Sequence, residues 1–293
     1  MKRKLQFVLA AAAVGSAQFI LAQGASSLLL PASVVAGHAF SVQHKGNDKF
    51  ILYIIGQGQV LRRSLQPEKF TNFPVGSITN AGHYLVVLRS ATNGSTIACS
   101  TFDVVADTHP AYLSFLAKPS RLPVDQKKSI TGAVYVFDAD RNLIVKSLPV
   151  TFKLSSPGGA LQEHLVIARN GVALTEMDST AFQGIDNFTA QAGDIVSTRV
   201  IAQVPGDPCS LTISAERTGQ ELQVVTTPVK DCTGNAVPDG TIVTFTESYH
   251  GMQTTVDVPI KRGIAVAQIP FHALGTISVA SGVVMGNQIS EGR

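Results

Sequence analysis

A pattern of residues in the middle of the chain returns near its end at a constant distance. Asp138, Asn142 and the run Val150-Thr151-Phe152 are followed 93 positions later by Asp231, Asn235 and the run Val243-Thr244-Phe245. A period this long exceeds the roughly 20 to 50 residues of solenoid repeats, so each copy is long enough to be a small domain with its own core. The repeat therefore predicts tandem domains in the second half of the chain.

Composition narrows the class of protein and of partner. Of the 293 residues, 45% are hydrophobic and 15% charged, which is enough apolar material for two or three buried cores. The formal net charge is only +3, and no run of Lys and Arg occurs beyond the N-terminus. Because nucleic-acid binding needs a concentrated basic surface, we expect no nucleic-acid partner.

The N-terminus has the order of parts of a secretory signal. Lys2, Arg3 and Lys4 precede a mostly apolar stretch from Leu5 to Leu21, and small residues follow around Ala25. This order predicts a signal peptide at residues 1–24, with an uncleaved membrane anchor as the alternative. No later apolar run reaches the roughly 18 residues that span a bilayer. We expect a mature chain without a membrane span that is secreted, periplasmic or at the cell surface.

The rest of the chain has the pattern of β-strands. Four segments rich in Val, Ile, Phe and Thr are separated by Gly, Pro, Asn and Asp, namely Ser129 to Phe137, Leu148 to Leu154, Gly184 to Ala190 and Val196 to Val204. Several such strands in each repeat of about 90 residues are typical of a β-sandwich. Asn170-Gly171 and Asn93-Gly94 each predict a two-residue hairpin turn. The sequence Gly56-Gln57-Gly58 also predicts a hairpin turn.

Two junctions that contain proline divide the chain. Asp107 to Pro110 closes a first block, and Val204 to Pro208 closes a second. We therefore expect three domains, at residues 25–108, 111–205 and 208–287. Because the linkers are short and contain proline, we expect a semi-rigid arrangement from end to end.

The repeated residues carry a resemblance to a known family. In the third domain the string comprises Val229, Lys230, Asp231, Gly234, Asn235, Val237, Pro238, Gly240, Val243, Thr244 and Phe245. It resembles bacterial immunoglobulin-like domains of the invasin and intimin type, also called Big-1 domains, over residues 111–287. The resemblance implies an all-β chain of tandem immunoglobulin-like β-sandwiches. The second domain departs from the family pattern at Asp140, Arg141, Leu143 and Leu148, which puts the shape of that loop in question.

The first block resembles an immunoglobulin domain more distantly. The segment from Asn80 to Val86 looks like the start of an F strand, with Tyr84 in the place of the corner tyrosine. A strand that simply follows a turn is the alternative.

Three cysteines are present. Cys209 and Cys232 stand at the same end of two strands that we expect to pair, so in an exported protein a disulfide between them is plausible. Two unpaired small residues are the alternative. Cys99 is left over, and we expect it to be buried.

The chain shows no catalytic motif. None of the seven histidines has the spacing of a zinc protease, and no Gly-x-Ser-x-Gly sequence occurs. Asp138, Asp140 and Asn142 imitate the start of a calcium-binding loop, but Leu143 stands where that loop needs Gly. A turn between strands is the preferred interpretation, and a structural calcium ion is the alternative. We expect no catalytic residue, no cofactor and no metal ligand.

The function predicted from these observations is non-catalytic and exported. A structural or adhesive protein of tandem immunoglobulin-like domains would bind an extracellular or envelope protein or glycan through loops or edge strands. The candidate surfaces are the turns at Asp231 to Asp239 and at Ser248 to Thr254. The alternative is an accessory carbohydrate-binding module of a polysaccharide-processing system. An exported hydrolase is a third and weaker reading, because no candidate base pairs with a nucleophile.

Overall fold

The computed structural model describes residues 28–46, 48–66, 70–159 and 161–290, and all the regular structure in them is β. No helix in these ranges is long and apolar enough to cross a membrane. The predicted signal peptide lies outside the described residues. Because all regular structure in the described ranges is β, the expected all-β fold class is confirmed.

The first block forms eight strands. They are β1 (Leu28–Leu29), β2 (Ser33–Val35), β3 (Phe40–His44), β4 (Phe50–Gly56), β5 (Gln59–Leu65), β6 (Phe70–Phe73), β7 (Gly82–Ser90) and β8 (Thr96–Val105). One sheet has the order β1-β3-β6 and the other has the order β2-β8-β7-β4-β5. Side chains alternate between core and surface along β7, where Tyr84, Val86 and Leu88 are fully buried. Burial raises the pKa of the Tyr84 hydroxyl.

The second block repeats this plan. Its strands are β9 (Tyr112–Lys118), β10 (Arg121–Pro123), β11 (Ile130–Phe137), β12 (Leu148–Ser155), β13 (Gln162–Ala168), β14 (Val172–Met177), β15 (Gly184–Ala192) and β16 (Ile195–Val204). They form the sheets β14-β11-β9 and β10-β16-β15-β12-β13. The rings of Phe115, Phe152 and Phe188 meet in the core, with centroids 5.1 to 6.1 Å apart.

The third block has the same plan without the short second strand. Its strands are β17 (Ile213–Thr218), β18 (Glu221–Thr226), β19 (Ile242–Tyr249), β20 (Met252–Pro259), β21 (Val266–Pro270), β22 (Thr276–Ser281) and β23 (Val284–Ser290). The sheets are β17-β18-β21 and β20-β19-β22-β23. In place of the missing strand, Asn287 N–H donates to Leu211 O (3.1 Å), and Asn287 Oδ1 accepts from Ile213 N–H (2.7 Å).

The shared strand order identifies three immunoglobulin-like β-sandwiches in tandem. In chain order the strands correspond to A, A′, B, C, C′, E, F and G, with A, B and E in one sheet and G, F, C and C′ in the other. The B–C loops lie between β11 and β12 and between β18 and β19. The E–F loops lie between β6 and β7, between β14 and β15 and between β21 and β22.

Contact density divides the chain into two units. Among the described residues, the second unit contains residues 35–37, 79–81 and those from 105 to 290, and the first contains the others. The second unit has two separate cores, one built around Phe152 and the other around Phe245. Both phenylalanines are fully buried, as expected from the repeated Val-Thr-Phe run. The exact boundaries of three domains stay a prediction.

Two of the three predicted turns are confirmed. Asn170 and Gly171 have φ of 50° and 79°, and Gln57 and Gly58 have φ of 47° and 77°, as a two-residue hairpin of this kind requires. The prediction for Asn93-Gly94 is wrong. Ser90 N–H bonds Ser95 O (2.9 Å), which makes a four-residue loop, and Asn93 Oδ1 accepts the Ser95 N–H (3.0 Å).

The expectation that Cys99 is buried is also wrong. In β8 the inward positions are taken by Phe102 and Val104, whereas Cys99 pairs with Val87 and is exposed. The side-chain period of a strand is two, so this register places Cys99 on the outer face.

Candidate functional site

The two paired cysteines join the start of the third sandwich to its B–C loop. Cys209 Sγ and Cys232 Sγ are 2.10 Å apart, and the Cys209 N–H donates to Lys230 O (2.9 Å). The disulfide expected from the sequence is therefore present. It anchors the segment before β17 next to Asp231.

Asp231 lies inside the first candidate surface, yet it is only 5% exposed. Its Oδ1 accepts from the N–H groups of Thr233 (3.0 Å) and Asn235 (2.8 Å), and its Oδ2 accepts from the Gly206 N–H (3.0 Å). Burial alone would raise the pKa of this carboxyl, but the hydrogen bonds from Thr233, Asn235 and Gly206 outweigh it and hold the pKa at about 2. The group is therefore a charged structural acceptor.

Asn235 connects the third sandwich to the second. Its Nδ2 donates to Ala181 O (2.9 Å), and its Oδ1 accepts from the Gln183 N–H (3.3 Å). Ala181 and Gln183 belong to the E–F loop of the second sandwich. Part of the first candidate surface is therefore a joint between two sandwiches.

The other copy of the repeat makes the same hydrogen bonds within the second unit. Asn142 Nδ2 donates to Thr79 O (2.7 Å), and Asn142 Oδ1 accepts from the Ala81 N–H (2.8 Å). Asp138 Oδ2 accepts from the Asp107 N–H (3.0 Å), as Asp231 Oδ2 does from Gly206. The repeated Asp and Asn are thus used alike in both copies.

The two B–C loops also share their backbone shape. The third residue after each Asp donates its N–H to the carbonyl of that Asp over 3.1 Å, from Arg141 in one copy and Gly234 in the other. Both have positive φ, 66° at Arg141 and 90° at Gly234. The departure from the family pattern at Arg141 therefore does not change the loop. The Arg141 guanidinium lies over the Tyr112 ring, 4.7 Å from its centroid.

The last acid of the first candidate surface also has a structural role. Asp239 accepts hydrogen bonds from the N–H groups of Arg262 (2.9 Å) and Gly263 (3.2 Å), and these bonds lower the pKa of the carboxyl. Arg262 is another residue with positive φ, at 53°. Asp239 therefore holds the turn that precedes β21.

The second candidate surface, the turn at Ser248 to Thr254, is a tight hairpin with His250 exposed at its tip. Tyr249 pairs with Met252, and His250 and Gly251 have φ of 50° and 80°. A histidine in this left-handed conformation costs about 1 kcal/mol relative to glycine. The turn therefore carries His250 at a small energetic cost, as the turn at Arg262 does for its residue.

A buried carboxylate lies beneath this hairpin. Glu247 is 2% exposed and accepts a hydrogen bond from His272 Nδ1 (2.7 Å). The His272 ring stacks on Tyr249 with centroids 4.7 Å apart, and the His250 ring meets Tyr249 edge-on at 4.2 Å. We call Glu247, Tyr249, His250 and His272 the end cluster.

Apolar side chains flank the end cluster. Met252 is 68% exposed in the hairpin, and Leu274 is 65% exposed two residues after His272. Gly275 completes the E–F loop, and a Cβ there would lie 3.2 Å from Glu247 Oε1. The absence of that side chain lets the loop close over the carboxylate. The arrangement presents rings and apolar groups on a fixed support.

A second accessible feature is a shallow groove on the second sandwich. Its lining includes His164 of the edge strand β13 and Leu174 and Thr175 of the edge strand β14, and His164 Nδ1 bonds Thr175 Oγ1 (2.9 Å). Leu165 is also exposed on β13. Edge strands of this kind can add a strand from a partner.

The described residues do not assemble a catalytic group around His164 or His272. His164 bonds a hydroxyl without a carboxylate behind the ring, whereas His272 bonds a carboxylate without a hydroxyl or thiol partner. The described ranges also contain no group of three or more His, Cys, Asp or Glu that could hold a metal ion.

Sequence reasoning missed the end cluster except for its hairpin. Glu247 and His272 are 25 residues apart and meet only because β19 and β22 are neighbours in one sheet. A charged residue at an inward position of β19 was the available signal, since Phe245 and Glu247 share one face of the strand.

No protein-family model matches this chain, and no characterised protein matches it in sequence. Solved structures, in contrast, do resemble it in fold. The chain is similar to invasin, described as a bacterial integrin-binding protein, with 12% identity and a TM-score of 0.46 over 91% of this chain. It is similar to InvD of Yersinia pseudotuberculosis, with 12% identity and a TM-score of 0.48 over 89% of this chain and 94% of that one.

A third similar structure is the FN1–FN3 segment of chicken CNTN1, with 9% identity and a TM-score of 0.38 over 88% of this chain and 95% of that one. The chain spans 59% of the length of the invasin structure. The fold assignment itself rests on the strand order of the chain.

Proposed function

We propose that this chain is an exported, non-catalytic adhesive protein whose immunoglobulin-like sandwiches bind an extracellular or envelope protein through exposed loops. The end cluster is the observation that carries this proposal. Glu247 is a buried carboxyl group that makes a hydrogen bond to a half-exposed histidine, His272. Burying a carboxylate is costly unless it is paired, so this pair serves to fix the His272 ring at the surface.

The neighbouring residues fit a protein contact. Aromatic rings held rigidly and flanked by exposed apolar side chains resemble the centre of protein interfaces, where aromatic residues and Met are enriched. The first candidate surface supplies no comparable free group, because Asp231, Asn235 and Asp239 bond other parts of the chain.

The test is capture of a partner by the mature chain with the rim of the end cluster altered. Met252→Ser and Leu274→Ser change only exposed side chains, so folding is expected to persist. We expect loss of roughly 1 to 3 kcal/mol of binding energy for a well-packed interface residue. Val283→Ser and Met285→Ser together are the matched control, because both are exposed apolar side chains (93% and 69%) that lie at the opposite end of the same sheet.

The carbohydrate-binding alternative predicts a different result in the same assay. Glycan arrays and envelope protein extracts are probed in parallel with the intact chain. Retention on a glycan that survives protease treatment of the extract would replace the protein-binding proposal. Equal capture by the double rim variant and the unaltered chain would remove the end cluster from it.

A further inference from the structure

The geometry points to a rigid connection between two sandwiches: Asp231 and Asn235 hold the third sandwich against the second through hydrogen bonds to backbone atoms of the linker and the E–F loop, without a metal ion. This inference concerns the joint between sandwiches and does not depend on partner binding at the end cluster.

The first argument is that the E–F loop is recognised through its backbone. Asn235 bonds a carbonyl and an N–H two residues apart, at Ala181 and Gln183. Asn142 bonds the same pair of groups at Thr79 and Ala81. The two segments, Thr79-Asn80-Ala81 and Ala181-Phe182-Gln183, share no residue at corresponding positions. What recurs is a donor and an acceptor at fixed spacing, which a carboxamide matches with its own acceptor and donor.

The second argument is that the carboxylate of each Asp fixes the orientation of the Asn carboxamide in the same loop. Asp231 Oδ2 accepts from Asn235 Nδ2 (3.1 Å), and Asp138 Oδ2 accepts from Asn142 Nδ2 over the same 3.1 Å. The same carboxylate oxygen of Asp231 accepts the Gly206 N–H from the linker. The Asp231 carboxylate therefore bonds both the linker and the B–C loop, while Asn235 bonds the E–F loop. A carboxamide held in one orientation loses little entropy when it bonds.

The third argument compares the Asp231 loop with a calcium-binding loop, whose start the other copy of the repeat imitates at Asp138, Asp140 and Asn142. Oδ1 of Asp231 accepts from the Thr233 N–H, the Thr233 hydroxyl and the Asn235 N–H, over 2.8 to 3.0 Å. Oδ2 accepts from two further N–H groups. A calcium ion needs several oxygen lone pairs directed at one point, but here the carboxylate lone pairs face donors. Hydrogen bonds thus do the work that a bound cation would do.

The test measures the distance between the two sandwiches in the intact chain. Spin labels are placed through Thr198→Cys in β16 and Thr254→Cys in β20, both exposed, on a Cys99→Ser background that keeps the disulfide. Pulsed electron double resonance then gives the distribution of label separations. We expect one narrow distribution for the unaltered joint, unchanged by added Ca²⁺ or by EDTA.

Asn235→Ala is the decisive variant. We expect detached arrangements to become about ten-fold more populated, so that the distribution broadens. Asn287→Ala is the matched control, because Asn287 also accepts an N–H and donates to a carbonyl, both of Ile213, but inside the third sandwich. It is expected to lower stability without broadening the distribution.

Gln183→Pro tests the joint from the other side. It removes the N–H that Asn235 accepts and leaves the third sandwich untouched. Broadening in both Asn235→Ala and Gln183→Pro supports the rigid connection. A distribution that stays narrow in both variants, or that narrows only when Ca²⁺ is added, overturns it.

Discussion

The two copies of the Asp-Asn pair share their bonds to the E–F loop and the linker, but only Asp231 and Asn235 also bond a threonine side chain, that of Thr233. Around Asn142 the bonds to residues 79–81 are 2.7 and 2.8 Å long and partly shielded from water. Around Asn235 the corresponding bonds are 2.9 and 3.3 Å long and exposed. The second copy adds the Cys209–Cys232 disulfide and has Gly234 where the first has Arg141.

The difference shows that one geometry can be stabilised in two ways. In the first copy shielded hydrogen bonds and the Arg141–Tyr112 contact support the loop. In the second copy water competes for the bonds to the E–F loop, and a covalent link and a glycine support the loop instead. Each kind of support predicts its own response to substitution.

The largest expected effect on stability comes from removing the disulfide. Replacing Cys209 and Cys232 together with Ser opens a link between residues 23 apart, which in the chain-entropy model costs about 3 kcal/mol. We expect the unfolding free energy of the third sandwich to fall by that amount in urea titrations. The core around Phe152 should keep its stability, so loss of both cores together would contradict the separation of support.

The next effect is a pH dependence that comes from Asp231. Its pKa is about 2 in the folded chain against 3.8 ordinarily, so the charged form is stabilised by folding. This contribution of about 2 kcal/mol is complete above pH 3.8 and is lost as the pH falls toward 2. Urea titrations at pH 5 and pH 2.5 should show the loss.

The Asp231→Asn variant isolates that contribution. We expect it to be less stable than the unaltered chain at pH 5, with the gap shrinking at pH 2.5. A gap that is equal at both pH values would show that the carboxylate charge is not what the donors around Asp231 stabilise.

A smaller effect should distinguish the two asparagines. A shielded group left without its partner costs more than an exposed one, so we expect Asn142→Ala to cost about 2 kcal/mol and Asn235→Ala about 1 kcal/mol. Amide hydrogen exchange reports each pair of hydrogen bonds directly. In the unaltered chain the Ala81 N–H should exchange more slowly than the Gln183 N–H, and each should accelerate only in its own variant.

The sequence predicts the B–C loops well and their partners not at all. The repeated Asp and Asn, and the boundaries of β11, β12, β15 and β16 to within one or two residues, follow from period and composition. The partner segments at 79–81 and 181–183 contribute only backbone atoms to these bonds. Because every residue type has these atoms, the sequence of the segments does not reveal the contact. For the same reason the motif alone predicts a turn within one domain.

The end cluster could not be predicted for a different reason. Glu247 lies in β19 and His272 in the loop before β22, and these two strands are neighbours only through sheet topology. Neither Glu247 nor His272 belongs to the repeat. The exposure of Cys99 was likewise decided by the register of β8 against β7, which a single strand does not reveal.

The smallest effect concerns the residue with positive φ in each loop. Arg141→Gly relieves a left-handed conformation that costs a non-glycine residue about 1 kcal/mol, but it also removes a guanidinium from the Tyr112 ring, a contact of about 0.5 to 1 kcal/mol at an exposed site. We therefore expect a change of less than about 0.5 kcal/mol in unfolding free energy. Gly234→Arg introduces the strain without such a ring contact among the described residues and should destabilise by about 1 kcal/mol. Urea titration of both variants separates the two cases. Destabilisation by Arg141→Gly as large as that by Gly234→Arg would mean that losing the Tyr112 contact outweighs the relief of backbone strain at position 141.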